Sequence, residues 1–322
     1  MTADRYPRLL ADVGGTNARF AWKASPDAAL SHIGSWLCNE HDSLQHAIQH
    51  HLQVHGLAQP RACGIGIANP ITGDQVRMTN HHWSFSIAQL QQALGVEKLV
   101  VINDFTAIAL SLPSLSPADL RPIGGGQAVA GAPMAVLGPG TGLGVSGLLP
   151  TSSGQWAAIN GEGGHVTLAA GDAEEAALIE HLRHRFGHVS VERVLSGPGL
   201  VNLYEATADL AGKTVLALAP ADIVERARHH GDVICAKALG HFCALLGSVA
   251  GNLALTLGAR GGVFLAGGMA PRILGELGSA PFRQRFEGKG RFSNYLAQIP
   301  TFVIVGDVSP ALTGVSRALD EA

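Results

Sequence analysis

Hydrophobic positions along this chain fall into short runs and helix-like intervals. Apolar runs at residues 9–13 and 18–22 flank a Gly/Thr/Asn turn at residues 14–17, a pattern typical of a β-hairpin. A second strand, glycine-threonine turn and strand follow at residues 135–149. The repetition predicts two copies of one unit, and therefore two lobes related by duplication.

The remaining segments show either short apolar runs, typical of strands, or apolar residues at helical spacing. Apolar residues three or four apart predict helices, and several of these stretches begin at a Ser or Asp that can act as an N-cap. The predicted helices lie at residues 43–55, 86–94, 172–186 and from 222, and the predicted strands at residues 98–102, 262–266 and 301–305. This mixture predicts an α/β chain, with a small α/β domain at residues 1–110 plus 301–322 and a large α/β domain at 111–300.

Composition narrows the classes of function. The chain has 322 residues, more than one hydrophobic core usually holds, and 47% of them are apolar. A net charge of −3, from 22 basic and 25 acidic side chains, argues against a nucleic-acid partner. The four cysteines form no CxxC pair and are expected to be buried thiols in a reducing compartment. Residues 1–7 show no signal peptide, so we expect a cytoplasmic protein.

One apolar segment, residues 233–259, is long enough to span a bilayer. Its Gly247-x-x-x-Gly251 spacing resembles a transmembrane dimer motif. A buried helix in close contact with another element explains the same features without placing Lys237 in lipid. We therefore expect a core helix and no membrane partner.

The first glycine turn has a clear chemical use. Gly14 and Gly15 let backbone N–H groups approach phosphate oxygens closely, and Thr16 and Asn17 add donors. Asp12 could hold a Mg²⁺-bound water, because that ion prefers hard oxygen ligands. An ordinary hairpin turn explains this motif about equally well when it is taken alone.

The second glycine turn changes that balance, since Gly15-Thr16 can be laid over Gly140-Thr141. Two such turns could converge on one polyphosphate, whereas ordinary turns give no reason for the repetition. The P-loop pattern GxxxxGK[ST] does not occur. A GxGxxG spacing at residues 142–147 precedes a strand-like run and not a helix, so we interpret it as accidental.

Three further segments carry candidate chemistry. Asp104 follows a buried strand, where a carboxylate can act as a base, although from this motif alone an N-cap role is slightly favoured. Glu162 and His165 lie among glycines in a loop without an apolar anchor, which favours function. Glu192, by itself, is best explained as the start of a capped, solvated helix.

These motifs, in this order, resemble those of the bacterial glucokinases. The matching segments are LADVGGTNAR at 10–19, ITGD at 71–74, MTN at 78–80 with Trp83, INDFT at 102–106, GPGTGLG at 138–144, GEGGH at 161–165, ERVLSGPG at 192–199 and AGG at 266–268. The resemblance covers residues 9 to about 315, and the ordered set is highly specific although each piece is common. The chain resembles the branch without the zinc-binding cysteine cluster of the repressor/ORF/kinase family, so no structural zinc is implied.

The resemblance implies a two-lobed actin-like ATPase (ribonuclease H-like) fold with duplicated α/β domains and mixed sheets. It implies phosphorylation of D-glucose at the 6-hydroxyl by Mg-ATP, giving glucose 6-phosphate and ADP, in a cytoplasmic glycolytic enzyme. Homodimers are common among such enzymes, so a homodimer is expected, with sugar and ATP as small-molecule partners.

The resemblance also assigns residues. Asp104 would be the general base that takes the proton from the sugar 6-hydroxyl. The sugar would be bound by Asn80, Asn103, Asp104, Glu162, His165 and Glu192, of which Glu192 enters only through the resemblance. ATP would be bound by Asp12, which is also near Mg²⁺, and by Gly14, Gly15, Thr16, Asn17, Gly138, Gly140, Thr141, Gly142, Gly267 and Gly268, the last two against the adenosine.

Two alternatives stay open at this point. One is a kinase for another hexose, or one that uses polyphosphate in place of ATP. The other is a catalytically silent sugar-binding regulator of the same fold. Such regulators generally carry a DNA-binding helical extension, whereas the first strand here is expected by residue 9, and the near-neutral charge also disfavours DNA binding.

Overall fold

The computed structural model describes residues 5–322, so part of the N-terminal segment interpreted above lies outside the described residues. The strands are β1 (Arg8–Val13), β2 (Asn17–Lys23), β3 (Ser31–Leu37), β4 (Ala62–Ile67), β5 (Gln75–Arg77), β6 (Ser84–Ser86), β7 (Lys98–Asn103), β8 (Leu120–Pro122), β9 (Met134–Pro139), β10 (Leu143–Pro150), β11 (Trp156–Ala158), β12 (Val263–Leu265) and β13 (Thr301–Ile304). The α-helices are α1 (Leu44–Val54), α2 (Ile87–Leu94), α3 (Asp104–Ser111), α4 (Ala173–Phe186), α5 (Gly197–Leu210), α6 (Pro220–His229), α7 (Val233–Leu257), α8 (Leu274–Leu277), α9 (Ala280–Glu287), α10 (Ser293–Ala297) and α11 (Pro310–Glu321).

The chain divides into two compact units. Unit 1 consists of the described part of Met1–Ser116, together with Trp156–Asn160 and Gly306–Ala322. Unit 2 consists of Pro117–Gln155 and Gly161–Val305. Each unit has its own α/β core.

A mixed sheet forms the centre of unit 1, with the strand order β3-β2-β1-β4-β7. The β1–β2 and β2–β3 pairs are antiparallel, and β1, β4 and β7 are parallel. In this register Val13 lies opposite Ile67, and Ile67 lies opposite Asn103. The three parallel strands therefore end at one edge of the sheet, immediately before the first glycine turn and Asp104.

Unit 2 repeats this arrangement with the strand order β10-β9-β12-β13-β8. The hairpin β9–β10 is antiparallel, and β12 and β13 continue the sheet in parallel with β9. A hairpin followed by two parallel strands thus occurs in both units, as the repeated strand-turn-strand pattern predicted. The GxGxxG spacing lies largely within β10 and opens no helix, which confirms its interpretation as accidental.

Helix α7 is the core helix of unit 2. It is apolar and long enough to cross a membrane, but 56% of its most apolar stretch is buried inside the protein. Gly247 and Gly251 lie against the backbone carbonyls of Phe282 and Phe286 in α9, and a Cβ at Gly251 would be 2.5 Å from the Phe286 oxygen. The glycines serve helix–helix contact, as the core-helix interpretation predicted.

Most helix starts agree with the sequence. Ser43, Ser86 and Asp172 each accept a hydrogen bond from a backbone N–H in the first turn of α1, α2 and α4. The prediction for Asp222 was wrong in position, because α6 begins two residues earlier, at Pro220. Asp222 lies inside the first turn and accepts from Ala219 N at 2.9 Å, so it caps the helix from within.

The cysteines are free and buried, as predicted. Burial raises the pKa of Cys63 to about 12, and burial with a smaller contribution from Glu276 does the same for Cys243. Both thiols are therefore protonated at neutral pH and inert.

Helices α3 and α11 of unit 1 pack closely at a glycine. A Cβ at Gly314 would overlap the carbonyl oxygen of Ala107. Both helices are buried on this side, with Ala107, Leu312 and Val315 fully inaccessible. The position therefore admits only glycine without movement of one helix.

We expect Gly314→Ala to lower the free energy of unfolding by about 3 kcal/mol, the upper end for an overpacked core. Urea denaturation followed by circular dichroism reports this change and that of the control below, because both units contain helices. The matched control is Gly240→Ala in α7, where a Cβ would meet nothing within 4 Å. The control should be neutral or slightly stabilising, since Ala is the better helix former. Equal effects of both changes would contradict the packing argument.

A buried histidine in unit 1 predicts acid sensitivity. His51 of α1 has no exposed surface, and its Nδ1 lies 3.3 Å from Trp36 Nε1, which donates to it. Burial, and then the neighbouring His55, His32 and His50, lower the pKa of His51 from 6.5 to about 4. Between these two pH values the unfolded chain binds a proton that the folded chain does not.

The free energy of unfolding should therefore decrease as pH falls from 6.5 towards 4, by up to about 3 kcal/mol from this group. Urea midpoints at pH 7.5, 5.5 and 4.5 measure the slope. His51→Gln keeps an acceptor for Trp36 and should flatten the slope, whereas His46→Gln, at an exposed position of the same helix, should not. A slope unchanged in His51→Gln would exclude this histidine as the cause.

Candidate functional site

The first glycine turn closes the β1–β2 hairpin of unit 1. Gly14 N donates to Asn17 O at 2.9 Å, and Cys38 N donates to Thr16 O at 2.9 Å. A Cβ at Gly15 would lie 3.0 Å from Asn80 Cβ and 3.2 Å from its carbonyl oxygen. The structure therefore places two predicted site residues, Gly15 and Asn80, against each other. Thr16, in the same turn, is exposed.

Asp12 lies on β1 just before this turn and is largely buried. Its Oδ2 accepts from Ser309 Oγ at 2.7 Å and from Arg19 Nη1 at 3.3 Å. Its Oδ1 makes no hydrogen bond within residues 5–322, so one carboxylate oxygen is available to a further donor such as a metal-bound water. Sequence reasoning missed Ser309, whose Ser-Pro context indicates a helix start; its hydroxyl contacts Asp12 and does not cap α11.

This donor set fits a water-mediated magnesium ion. In the described part of the chain no group of three His, Cys, Asp or Glu side chains could hold a metal ion. Mg²⁺ usually keeps several waters and is bound through one or two carboxylates plus substrate phosphates. A single carboxylate with one unengaged oxygen, beside a turn that could hold phosphates, meets that requirement.

Asn103 and Asp104 form the junction of β7 and α3. The Asn103 side chain is the N-cap, since its Oδ1 accepts from Phe105 N at 2.9 Å and Thr106 N at 3.1 Å. The interpretation of Asp104 as the cap was therefore wrong. Asp104 is the first helical residue, is half-buried, and accepts from Phe105 N at 2.9 Å.

A second amide lies near this helix start. Thr106 Oγ1 donates to Asn160 Oδ1 at 3.4 Å, and Asn160 belongs to the Trp156–Asn160 segment of unit 1. Asn160 directly precedes the Gly161–His165 motif but was not a predicted site residue. No local pattern signals it, because its contact is 54 residues away in sequence.

In unit 2, the second glycine turn closes the β9–β10 hairpin. Gly140 N donates to Gly142 O, and Gly197 N at the start of α5 donates to Gly140 O, both at 2.8 Å. Gly267 has φ +80°, and a Cβ there would lie 2.6 Å from Pro139 O. The structure thus brings Gly267 against the predicted phosphate turn, and Gly138 lies at the end of β9, paired with Gly144.

Glu192 contacts the same turn. Its Oε2 accepts from Leu143 N at 2.7 Å, and its backbone N donates to Gly164 O at 2.9 Å. A Cβ at Gly142 would overlap the Glu192 carboxylate. The interpretation of Glu192 as a helix start was wrong: α5 begins at Gly197, and Glu192 lies half-buried in the preceding turn.

Glu162 and His165 lie in the loop that Glu192 also contacts. Their side chains are 50% and 60% exposed, and His165 Nε2 lies 3.9 Å from Glu162 Oε2. The intervening Gly164 touches the carbonyl of Leu143, so that a Cβ would overlap it. Glycines therefore hold this loop against β10 while its two polar side chains face solvent.

An open cavity of about 330 Å³ lies beside Gly268 in unit 2. Pro220, Val224, Met269 and Ile273 give it an apolar lining, and Glu225 and Arg228 add polar groups. Met269 N donates to Pro139 O at 3.2 Å, which ties the cavity wall to the second glycine turn. The sequence did not indicate this cavity, because it is built from two segments, residues 220–229 and 269–273, that are far apart in the chain.

Comparison with known proteins agrees with this geometry. A sequence model of the family described as Glucokinase matches residues 9–322. The glucokinase of Aromatoleum aromaticum is 54% identical over 321 residues, covering 99% of this chain and 96% of that protein. The solved glucokinase of an Antarctic psychrotroph has a TM-score of 0.88 at 38% identity and covers 98% of this chain and 99% of that one. A ROK-family glucokinase from Streptomyces griseus, solved with glucose and AMPPNP, shares the fold with a TM-score of 0.66 at 17% identity, covering 98% and 100%.

Glu192 should stabilise the fold as a hydrogen-bond acceptor, and its negative charge should not be needed for this role. Glu192→Ala removes the acceptor of the buried Leu143 N–H and should cost about 1–3 kcal/mol of unfolding free energy. Glu192→Gln keeps an acceptor oxygen and should cost much less. Urea denaturation followed by circular dichroism measures both, and equal losses in the two variants would contradict this role.

Proposed function

The chain belongs to the glucokinase family, and from that membership we propose that it transfers the γ-phosphoryl group of ATP to the 6-hydroxyl of D-glucose. The products are glucose 6-phosphate and ADP. The observation that carries the proposal is the 54% identity to the Aromatoleum enzyme over essentially the whole of both chains. A catalytically silent regulator is not favoured by these relatives.

Asp104 is proposed as the general base. The sugar 6-oxygen forms a bond to the γ-phosphorus while the bond from that phosphorus to the β,γ-bridging oxygen breaks, and ADP leaves with the electron pair. The hydroxyl proton passes to the Asp104 carboxylate. Its half-buried position at the first residue of α3, where β7 ends, supports this role, because strand ends of this kind line the crevice of α/β folds.

Asn103 is proposed to bind the sugar as a hydrogen-bond donor. Its Oδ1 is occupied by two backbone N–H groups of α3. Only its Nδ2 group can therefore serve the sugar, as a donor to a hydroxyl oxygen. Asn80, which lies against the first glycine turn, is proposed to assist.

Glu162, His165 and Glu192 are proposed to bind the remaining hydroxyls. Glu192 Oε2 is engaged by Leu143 N, so Oε1 is the oxygen proposed for the sugar. Polar groups of this kind penalise a sugar that lacks or misplaces a hydroxyl, because they are left unpaired. Glucose as the preferred hexose rests on the relatives.

The two glycine turns are proposed to bind the ATP phosphates through their backbone N–H groups. The residues are Gly14, Gly15, Thr16 and Asn17 in the first turn and Gly138, Gly140, Thr141 and Gly142 in the second. Mg²⁺, when bound with ATP, neutralises charge on the phosphate oxygens, and Asp12 Oδ1 is the oxygen proposed to hold one of its waters. The adenosine is proposed to lie along Gly267 and Gly268, with its base in the apolar cavity beside Met269.

We further propose a cytoplasmic, glycolytic homodimer. The buried position of α7 supports a protein without a membrane anchor in the described residues. We also propose the two domains predicted from the sequence, a small one at residues 1–110 plus 301–322 and a large one at residues 111–300.

The first test of the function is ADP release with Mg-ATP against glucose, mannose, fructose and N-acetylglucosamine. Glucose-dependent turnover is expected. Saturable glucose binding without turnover would redirect the proposal to a different phosphoryl donor or to a regulator.

Asp104→Asn should lose about 10²–10⁴-fold in kcat, the usual range for general-base assistance, while glucose affinity changes little. The measurement is kcat by ADP release beside the glucose Kd by calorimetry. Asp42→Asn is the matched control, since that carboxylate is 94% exposed, and it should keep full turnover. Unchanged turnover in Asp104→Asn would reject the assignment of the base.

A further inference from the structure

A second cavity, of about 310 Å³, lies within unit 1 and uses none of the residues assigned above. Its walls come from the end of β2, the following loop, the segment after α3, and α11. Its polar lining consists of Lys23, Ser114, Thr313, Ser316, Arg317 and Asp320.

Helix α11 turns a polar face towards this cavity. Thr313, Ser316, Arg317 and Asp320 are spaced three, one and three residues apart, which places them on one side of a helix. The opposite side is apolar and fully buried in the core of unit 1. A helix that packs by one face normally gives its polar face to open solvent, whereas here that face lines a recess.

Positive charge is concentrated on this side of the sheet. Arg8 and Lys23 are directly opposite partners in the β1–β2 ladder, so their side chains share one face. Arg8 has no exposed surface and pairs with Asp320, its Nη2 lying 2.7 Å from Oδ1. Like charges directly opposite each other destabilise a sheet, and the single carboxylate of Asp320 is engaged by Arg8.

Lys23 and Arg317 line the cavity as its two cations. Arg317 Nη1 donates to Leu110 O at 3.3 Å. Neither cation forms an ion pair within residues 5–322. Glu321 interacts electrostatically with Arg317, but neither Glu321 nor Asp27 lines the cavity. The cavity thus presents two cations that form no ion pair in the described part of the chain, with hydroxyl groups of Ser and Thr beside them.

We propose that this cavity is a binding site for a small phosphate-bearing anion, either inorganic phosphate or a small phosphate ester. An ammonium and a guanidinium group, together with hydroxyl donors, are the groups that bind phosphate oxygens most strongly in proteins. The cavity volume is at the lower end for small-molecule sites, which suits a phosphate ester of a few carbons better than a nucleotide. Bound phosphate would also relieve the repulsion between Arg8 and Lys23.

The cavity lies next to the C-terminal end of α3. Ser114 follows that helix directly, and Arg317 contacts its Leu110 carbonyl. The binding proposal itself does not depend on the proposed kinase activity, because it is tested without turnover.

The test is calorimetric titration of the full chain at low ionic strength with glycerol 3-phosphate and with inorganic phosphate, and with glycerol as the uncharged control. Saturable binding of a phosphate probe, and none of glycerol, is expected. Lys23→Gln and Arg317→Gln should each weaken binding by about tenfold or more, the usual loss for one charge-assisted hydrogen bond. Lys23→Arg should retain binding, and Lys213→Gln, at an exposed loop position of unit 2, should leave it unchanged.

Each outcome decides the proposal. Tighter binding of glycerol 3-phosphate identifies a phosphate ester as the ligand, and equal affinities identify the free anion. Phosphate binding that is unaffected by both Gln variants would place the bound anion elsewhere in the protein and overturn the proposal, as would the absence of saturable binding. Tryptophan fluorescence confirms that each variant is folded in unit 1, and Lys23→Arg separates loss of charge from loss of structure.

Discussion

Direct contact between backbones at glycine positions is the constraint on which the candidate site depends. Gly314 brings α11 against α3, the helix that begins at Asp104, and Gly164 brings the Glu162–His165 loop against β10. Gly267 does the same for the second glycine turn, where a Cβ would lie 2.6 Å from Pro139 O. A side chain at any of these positions would push apart two elements of which at least one carries or adjoins proposed site residues. At these three positions glycine allows two elements to approach each other closely. Only at Gly267, with φ +80°, does it also permit a backbone conformation that other residues rarely adopt.

The same logic is applied twice, once in each unit. In both, an antiparallel hairpin with a glycine-threonine turn is followed by two parallel strands in the same sheet. Parallel strands end at one edge, so residues far apart in sequence are gathered without long loops. In unit 1 this places the ends of β1, β4 and β7 side by side, and with them the first glycine turn and the Asn103–Asp104 junction. The duplication explains why the strand, glycine-threonine turn and strand motif indicates a phosphate site when it occurs twice, although one copy alone fits an ordinary hairpin equally well.

Local patterns were enough for the fold but not for the partners of polar groups. The hairpins, the Ser43, Ser86 and Asp172 caps, and the glycine contacts of α7 follow from periodicity and capping within a few residues, and all were predicted. The errors concern contacts at long sequence separation. Glu192 binds Leu143 N across 49 residues, and Ser309 binds Asp12 across 297. A pattern confined to neighbouring residues contains no information about such pairs, so Glu192 looked like a helix start until the fold placed it beside a turn.

For Asp104 the reason for the error was different, because two adjacent residues could both cap α3 and only the geometry shows that Asn103 does.

That choice of cap links stability to the proposed chemistry. Because Asn103 supplies the cap, the helix start is satisfied by a neutral amide oxygen, and the amide nitrogen is left to donate. Glu192 divides its two oxygens in the same way, one for Leu143 N and one available. Side chains fixed by backbone hydrogen bonds lose little freedom when a ligand arrives, so these anchoring bonds favour binding as well as folding.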